Sequence, residues 1–285
     1  MPIIESKVDR NSQAYAANRE GMLACIDKFR AVEAKVRTSE QSKRKRYQDR
    51  GQILPRDRVN LLLDHGSPFL EISTLCGYKH HDDKDGSLAG GNTIIGIGYI
   101  AGVRCMVVAS NSAIKGGTMT PWGVQKTLRI QEIAMQNKLP VVSLIESGGA
   151  NLLYQAELFI VGGTTFANQA RLSAMGIPQV TVVHGSSTAG GAYMPGLSDH
   201  VVMVRGNAKV FLAGPPLLKS ATGEVASDED LGGADMHGTV AGTTEYLAEN
   251  DVDGIRLARE IVANLGWNDH YPAPPGRDYE PPACD

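Results

Sequence analysis

The spacing of apolar residues changes near residue 93 and divides the chain into two parts. Residues 13–50 carry apolar positions at helical spacing, among them Met22, Ile26 and Phe29, which predicts a mainly helical segment. A second short helix is predicted over residues 56–64, because Pro55 suits the first turn of a helix. We therefore expect a helical N-terminal segment of about residues 13–64.

Beyond residue 93, short apolar runs alternate with segments of helical period. Two strands are expected within residues 93–110, joined at Ala101-Gly102. Further strands are predicted at 140–145, 179–184, 200–205 and 209–214, and helices at 120–138, 164–176, 189–197 and 252–265. Continuously apolar strands are typical of sheets that helices cover on both faces. The pattern therefore predicts an α/β fold with a largely parallel sheet.

Composition narrows the class of protein. The chain has 285 residues, of which 42% are hydrophobic and 21% are charged, which is ordinary for a globular protein. No apolar run reaches the length of a membrane span, and the polar N-terminus lacks the apolar core of a signal peptide. We therefore expect a cytoplasmic protein with no membrane partner.

The end of the chain has a different composition. Residues 268–285 contain five prolines, which predicts an extended linker. We therefore expect one domain over residues 1–267, followed by a linker over 268–285 that leads to a further domain beyond residue 285.

Cysteines and charge suggest no metal or nucleic-acid site. Cys25, Cys76, Cys105 and Cys284 form no CxxC pair, so no zinc ribbon or disulfide framework is predicted, and we expect no metal. Residues 28–58 carry eleven Lys or Arg against four Asp or Glu, with the highest density at Lys43, Arg44, Lys45 and Arg46. This basic segment is too short and too poor in aromatics to favour nucleic acid. It is either a solvated helix face or a site for phosphates.

Two glycine pairs each follow a predicted buried strand. Gly148-Gly149-Ala150 comes after the strand at 140–145, and Gly190-Gly191 comes after the strand at 179–184. Glycine lets a ligand approach the backbone, and a following helix points its first N–H groups at that ligand. Two such turns on neighbouring strands favour an oxyanion hole for a carbonyl substrate. The alternative is close helix–sheet packing through small residues, which a single turn would favour.

Several stretches carry a family resemblance. They are KGGTMTP (115–121), LRIQEIAMQNKLP (128–140), ESGGANL (146–152), STAGGAYMPGLSD (187–199), FLAGPPLLKSATGE (211–224) and EDLGGADMH (229–237). In this order they resemble the carboxyltransferase (beta) subunit of biotin-dependent acyl-CoA carboxylases. The resemblance covers residues 56–267, is closest to the methylcrotonyl-CoA and geranyl-CoA carboxylase group, and concerns the N-terminal half of such subunits.

The resemblance implies a fold, a reaction and partners. The implied fold is a crotonase/ClpP-like spiral of ββα units. The implied reaction transfers a carboxyl group from carboxybiotin to the γ-carbon of an unsaturated branched acyl-CoA without a metal, and biotin itself accepts the proton. Biotin would be carried by a separate alpha subunit that also supplies biotin carboxylase. Family members are hexamers in which the N-half of one subunit faces the C-half of another.

The resemblance also implies roles for particular residues. One oxyanion donor would be Gly149 or Ala150, and the other Gly190 or Gly191. Glu146 and His184 lie near these turns, and a hydrogen-bonded structural role is favoured for both over that of a base. The residues expected to bind acyl-CoA are Lys43, Arg44, Lys45, Arg46, Lys115, Gly116, Gly117, Gly148, Gly162 and Gly163.

One departure from the family pattern concerns the substrate. Where methylcrotonyl-type sequences have Leu-Pro-Arg-Gln and a bulky loop, this chain has LLYQ (152–155) and a shorter loop over 156–166 with Gly162-Gly163. A glycine pair in place of bulk would deepen the acyl pocket, which favours geranyl-CoA, although the pair could also form a simple turn. The alternatives are a methylcrotonyl-CoA carboxylase beta subunit, an acyl-CoA decarboxylase subunit and a non-catalytic acyl-CoA-binding module. We expect this chain alone to bind acyl-CoA without carboxylating it.

Overall fold

A single mixed sheet forms the centre of the protein. The computed structural model describes residues 7–271. Its strands are β1 (Leu70–Glu71), β2 (Thr93–Ile100), β3 (Val103–Ser110), β4 (Val141–Ser147), β5 (Gln179–Thr188), β6 (His200–Val204), β7 (Lys209–Phe211) and β8 (Tyr246–Ala248). The strand order is β1-β2-β3-β4-β5-β6-β8, and β7 pairs with β5 outside this path.

The sheet is antiparallel at one edge and parallel elsewhere. β1, β2 and β3 pair antiparallel, and β2 and β3 form the predicted hairpin at Ala101-Gly102. From β3 to β8 all neighbours pair parallel. Every residue of β4 except Glu146 is buried, as expected for a strand covered on both faces.

Ten α-helices surround the sheet in the described part of the chain. They are α1 (Gln13–Gln41), α2 (Arg44–Gln48), α3 (Pro55–Leu62), α4 (Pro121–Asn137), α5 (Gln155–Ala174), α6 (Tyr193–Gly196), α7 (Pro215–Thr222), α8 (Asp228–Gly232), α9 (Asp251–Asn264) and α10 (Trp267–His270). Short 3-10 turns cover Lys115–Gly117, Leu152–Tyr154 and Ala189–Ala192, and a π-helix covers Met236–Ala241. α4 packs against α5, whereas α9 packs against α3, β5 and β6. No helix within residues 7–271 combines the length and apolarity that crossing a bilayer requires.

The prediction of a loop over residues 156–166 is wrong. α5 begins at Gln155 and runs through Gly162 and Gly163 without a break. Each glycine costs a helix about 1 kcal/mol relative to alanine. The buried stripe formed by Leu158, Thr165 and Leu172 outweighs this cost, because it seats the helix against the protein.

Other element boundaries also differ from the sequence prediction. The first helix stops at Gln41, and α2 begins at Arg44. The predicted linker starts with helix α10 instead of extended chain, and the indole N–H of Trp267 donates to the carbonyl of Lys138 over 3.0 Å. The rest of that linker, residues 272–285, lies outside the described residues.

Candidate active site

The two glycine turns lie side by side in the structure. β4 and β5 are parallel neighbours, and Ser147 pairs with Ser187 at their carboxyl ends. A Cβ atom added to Gly149 would lie 3.4 Å from the carbonyl oxygen of Thr188. One added to Gly191 would lie 3.7 Å from the Cβ of Ser147. Parallel pairing therefore brings both turns to one edge of the sheet.

The first turn uses a backbone conformation that favours glycine. Gly149 has a φ of 84°, which is costly for a residue with a Cβ. Its N–H donates to the Oγ of Ser147 over 3.2 Å, and its carbonyl accepts from the N–H of Met119 over 2.8 Å. Gly149 therefore has both backbone groups engaged within the protein.

Ala150 is the residue of this turn with an open donor. The neighbouring Asn151 N–H donates to the carbonyl of Met119 over 3.1 Å. Within residues 7–271, the N–H of Ala150 donates no hydrogen bond. Of the two donors predicted for this turn, only Ala150 can therefore offer its N–H to a ligand without breaking a bond.

The second turn ends in a single turn of 3-10 helix. It covers Ala189–Ala192 and follows β5 directly. The first N–H groups of such a turn have no intrahelical acceptor. Within residues 7–271, the N–H of Gly190 also forms no hydrogen bond outside the turn, so it is open. The carbonyl of Gly191 accepts from Ser187 Oγ over 2.9 Å, and a Cβ on Gly191 would lie 3.2 Å from that Oγ. Gly191 is thus packed against the strand end. A Cβ added to Gly190 would instead lie 3.8 Å from the Cζ of Phe166.

The predicted residues Lys115, Gly116, Gly117 and Gly148 come together beside the first turn. The N–H of Gly148 donates to the carbonyl of Gly116 over 3.1 Å, and Ser147 Oγ donates to the carbonyl of Gly117 over 3.1 Å. A Cβ on Gly117 would collide with the carbonyl oxygen of Glu146. The 3-10 turn Lys115–Gly117 therefore supports the end of β4, where the first glycine turn begins.

The basic segment is exposed, and its buried neighbour Tyr47 contacts Ser112, just after β3. Lys43, Arg44, Lys45 and Arg46 all lie on the surface at α2, and Arg44 forms an ion pair with Asp57 at 2.8 Å. The hydroxyl of Tyr47 lies 2.6 Å from the Oγ of Ser112. Burial, together with the nearby Glu146 carboxylate, raises the pKa of Tyr47 to about 12, so it stays neutral.

A buried charge network lies behind the two turns. Arg58 is 1% exposed and donates to the carboxylates of Glu146 at 2.8 Å and Asp251 at 3.0 Å. His184 Nδ1 lies 2.8 Å from Asp251 Oδ1. Burial and the Arg58 charge lower the pKa of His184, so the ring is neutral and Nδ1–H donates. Glu146 and His184 thus have the hydrogen-bonded surroundings that were predicted for them.

An acidic side chain from a third segment reaches both sides of the first turn. Asp82 lies in the segment between β1 and β2, forms an ion pair with Lys115 and accepts the hydroxyl of Tyr154 at 2.8 Å. The hydrogen bond from Lys115 lowers the pKa of Asp82, and the bond to Asp82 raises the pKa of Tyr154. Nothing in the sequence singles out Asp82, because the HHDDKDG stretch (80–86) that contains it has the composition of a turn.

Gly162 and Gly163 lie on α5, away from the packed side of the helix. Among residues 7–271, no atom lies within 4 Å of a Cβ added to either glycine. Phe166 is one helical turn beyond Gly162 and therefore shares its face. Since the Phe166 ring lies against Gly190, the face of Gly162 is turned towards the second glycine turn.

Comparisons with known proteins identify the family of this chain. A family model described as "Carboxyl transferase domain" matches residues 46–284. A probable biotin-dependent acyl-coenzyme A carboxylase beta2 subunit of Mycobacterium tuberculosis is 48% identical over 273 residues, covering 95% of this chain and 51% of the relative. A probable mitochondrial methylcrotonoyl-CoA carboxylase beta chain of Drosophila melanogaster is 45% identical, covering 92% of this chain and 46% of the relative.

Solved structures give the same result. The beta subunit of geranyl-CoA carboxylase from P. aeruginosa is 64% identical with a TM-score of 0.87, covering 96% of this chain and 51% of that one. The transcarboxylase 12S structure is 24% identical with a TM-score of 0.78, covering 85% of this chain and 48% of that one, and shows a shared fold. The predicted α/β, crotonase-like fold and the family resemblance are thus confirmed. The chain spans about half the length of the curated relatives it matches.

Proposed function

This chain belongs to the carboxyl transferase domain family, and we propose that it is the acyl-CoA-binding half of a biotin-dependent acyl-CoA carboxylase beta subunit. The complete enzyme would transfer a carboxyl group from carboxybiotin to the γ-carbon of an unsaturated, branched acyl-CoA. We favour a geranyl-CoA-like substrate over methylcrotonyl-CoA, because the geranyl-CoA carboxylase subunit is 64% identical, against 45% for a methylcrotonoyl-CoA relative.

The observation that carries this proposal is the pairing of two glycine turns with open N–H groups. The N–H of Ala150 from the first turn and of Gly190 from the second would donate to the thioester oxygen of the substrate. This oxygen becomes negative as the γ-proton leaves. One such donor contributes about 3–4 kcal/mol to transition-state stabilisation in a well-studied case. Gly149 would place the Ala150 donor, and Gly191 would seat the second turn against Ser187.

The partners follow from the family. Carboxybiotin, carried by a separate alpha subunit with biotin carboxylase, would supply the carboxyl group. A transcarboxylase of the same fold is described as a hexamer. We propose that the complete beta subunit also self-associates, with the N-half of one copy facing the C-half of another, and that the enzyme is cytoplasmic.

The exposed basic segment is proposed to meet the phosphates of coenzyme A. Lys43, Lys45 and Arg46 are exposed at α2, whereas Arg44 already pairs with Asp57. Arginine offers paired donors to a phosphate, and lysine offers a point charge. Because these side chains are exposed, this contribution to acyl-CoA affinity should weaken as salt rises.

The geometry of α5 supports a pocket for a long acyl chain. Gly162 shares a helix face with Phe166, whose ring lies against Gly190. In the described part of the chain, no atom lies within 4 Å of a Cβ added to Gly162. A side chain at this position would therefore extend into the space beside the oxyanion site. Gly163 is rotated by about 100° from Gly162 along the helix, and it is exposed to solvent whereas Gly162 is half-buried.

The test is the specificity of the complete enzyme for two thioesters. Geranyl-CoA has five more acyl carbons than methylcrotonyl-CoA, and each buried methylene contributes about 0.8 kcal/mol. We expect wild type to carboxylate geranyl-CoA. Gly162→Phe should lower kcat/KM for geranyl-CoA more than about tenfold while keeping activity on methylcrotonyl-CoA.

Gly163→Phe serves as the matched control, because it adds the same bulk on the next residue of the same helix. It should leave geranyl-CoA turnover within a few-fold of wild type. A wild-type enzyme that refuses geranyl-CoA would contradict the proposed substrate. Unchanged geranyl-CoA turnover in Gly162→Phe would contradict the proposed pocket.

A further inference from the structure

We propose that Asp82 is a positioning residue that holds the Ala150 donor in place by joining the two segments on either side of it. The inference rests on the proposed function, since Ala150 is the donor it positions. Asp82 is not part of either glycine turn. It comes from the segment between β1 and β2, about seventy residues away from Tyr154 along the chain.

The two joined segments meet at a backbone bridge beside the Ala150 donor. Met119 and Ala150 form an isolated parallel bridge, in which Met119 N–H donates to the carbonyl of Gly149 and Asn151 N–H donates to the carbonyl of Met119. From this bridge one segment runs back to Lys115 and the other runs forward to Tyr154. Before Ala150, the Gly148 N–H and the Ser147 Oγ also bond to the carbonyls of Gly116 and Gly117. After Ala150, the bond from Asn151 is the last backbone hydrogen bond between the two segments within residues 7–271, and such short pairings open readily.

Asp82 closes these two segments into a ring. One carboxylate oxygen, Oδ2, pairs with the ammonium group of Lys115, and the other, Oδ1, accepts the hydroxyl of Tyr154 at 2.8 Å. The ring therefore runs from Lys115 through the bridge to Tyr154 and returns through Asp82. Opening the bridge at Ala150 would require the ring to distort.

The backbone of Asp82 is itself anchored. The neighbouring Asp83 is 4% exposed and accepts the N–H groups of Lys79, Gly86 and Leu88 at 2.9, 2.8 and 3.1 Å. On the other side, the His81 ring meets the Tyr154 ring edge-on with centroids 4.5 Å apart. Asp82 thus projects from a rigid turn, as a positioning residue must.

Charge offers a second interpretation of the same contact. Lys115 is among the residues predicted to bind acyl-CoA, and Asp82 neutralises it. If Asp82 merely masked Lys115, removing the carboxylate would free a cation for the substrate and lower KM. If Asp82 positions the Ala150 N–H, removing it would lower kcat, because the donor acts in the transition state.

The experiment compares four single variants and one double variant of the complete enzyme. Asp82→Ala removes the contacts with both Lys115 and Tyr154. Tyr154→Phe removes the hydroxyl that Asp82 accepts but keeps the aromatic side chain. Asp82→Asn keeps an acceptor oxygen while losing the charge. Asp85→Ala is the matched control, because Asp85 is an exposed acid of the same turn whose partner is Lys35 at 2.9 Å.

We expect Asp82→Ala to lower kcat about tenfold with KM changed less than about threefold, and Asp82→Asn and Tyr154→Phe to have intermediate effects. The double variant Asp82→Ala/Tyr154→Phe should be no worse than Asp82→Ala, since both remove the same bond. Asp85→Ala should keep wild-type kcat. A lower KM with unchanged kcat in Asp82→Ala, or an equal loss in Asp85→Ala, would overturn the inference.

Hydrogen exchange tests whether Asp82 holds the bridge closed, without relying on enzyme turnover. In Asp82→Ala the amide of Asn151 should exchange several-fold faster than in wild type, because it donates across the bridge that Asp82 closes. Unchanged exchange in Asp82→Ala would overturn the inference even in an active enzyme. If exchange rises as expected but wild type carboxylates no unsaturated acyl-CoA, the structural role of Asp82 is supported and the proposed function fails.

Discussion

Replacing Gly149 by alanine tests whether the backbone of the first glycine turn places the Ala150 donor. Gly149 has a φ of 84°, a conformation that costs an alanine about 1–2 kcal/mol. Space is not the obstacle, because a Cβ there would lie 3.4 Å from the nearest atom, the carbonyl oxygen of Thr188. The perturbation is therefore mainly strain in the backbone.

The strain can be relieved only by moving the donor. The N–H of Gly149 is tied to Ser147 Oγ at 3.2 Å, so a change of φ turns the peptide that follows, which carries the N–H of Ala150. Losing one oxyanion donor lowers kcat about 10²- to 10³-fold. If the turn instead keeps its shape, the strain appears as lost stability, which corresponds to a few °C in Tm.

The assay measures kcat and KM of the complete enzyme, with Tm measured on the same preparations. Gly102→Ala is the control, because Gly102 has a comparable φ of 77° but lies in the β2–β3 hairpin. No atom of residues 7–271 lies within 4 Å of a Cβ added there. We expect similar losses of Tm in both variants and a loss of kcat above tenfold only in Gly149→Ala. Activity within threefold of wild type for Gly149→Ala, or an equal loss for Gly102→Ala, would refute the reasoning.

Three further predictions concern packing and buried charge. Gly191→Val should lower kcat more than it raises KM, because a side chain would crowd Ser187 Oγ, 3.2 Å from the added Cβ, and displace the second turn; turnover close to wild type would show that this turn tolerates displacement. Burial lowers the pKa of Lys126 to about 8. Between about pH 8 and 10.5 the unfolded chain therefore binds a proton that the folded chain has lost. Across this range the free energy of unfolding of wild type should rise by up to about 3 kcal/mol relative to that of Lys126→Met. Urea unfolding at pH 7 and above pH 9 would reveal this gain, and a constant difference between the two proteins would contradict it. Burial also lowers the pKa of His184, so as the pH falls below about 6.5 the unfolded chain takes up a proton before the folded chain does. Wild type should therefore lose stability relative to His184→Gln between about pH 7 and 5. Equal acid sensitivity of both proteins would argue against a neutral buried ring.

The sequence by itself determined the fold class and the location of the two glycine turns. Apolar runs without alternation predicted buried parallel strands, and the glycine pairs after β4 and β5 marked where each strand ends. These features are local, because strand burial and glycine turns are set by residues close together in the chain. Parallel neighbours end at the same edge of a sheet, so the meeting of both turns could be expected as well.

Only the tertiary structure decided which N–H group is available and what supports it. The choice of Ala150 over Gly149 depends on Ser147 Oγ and Met119, and Met119 lies thirty residues before the turn. The contact of Asp82 with Lys115 and Tyr154 joins three separate segments. No local pattern encodes such contacts, because they form when packing brings distant segments together.

The same reason explains the error over residues 156–166. Two adjacent glycines disfavour a helix by about 1 kcal/mol each, and this local cost is visible in the sequence. The burial of Leu158 and Leu172 on either side stabilises the helix by more than the glycines cost, since each such side chain contributes about 1.5–3 kcal/mol. That gain depends on the surface against which α5 packs, and this surface exists only in the folded protein.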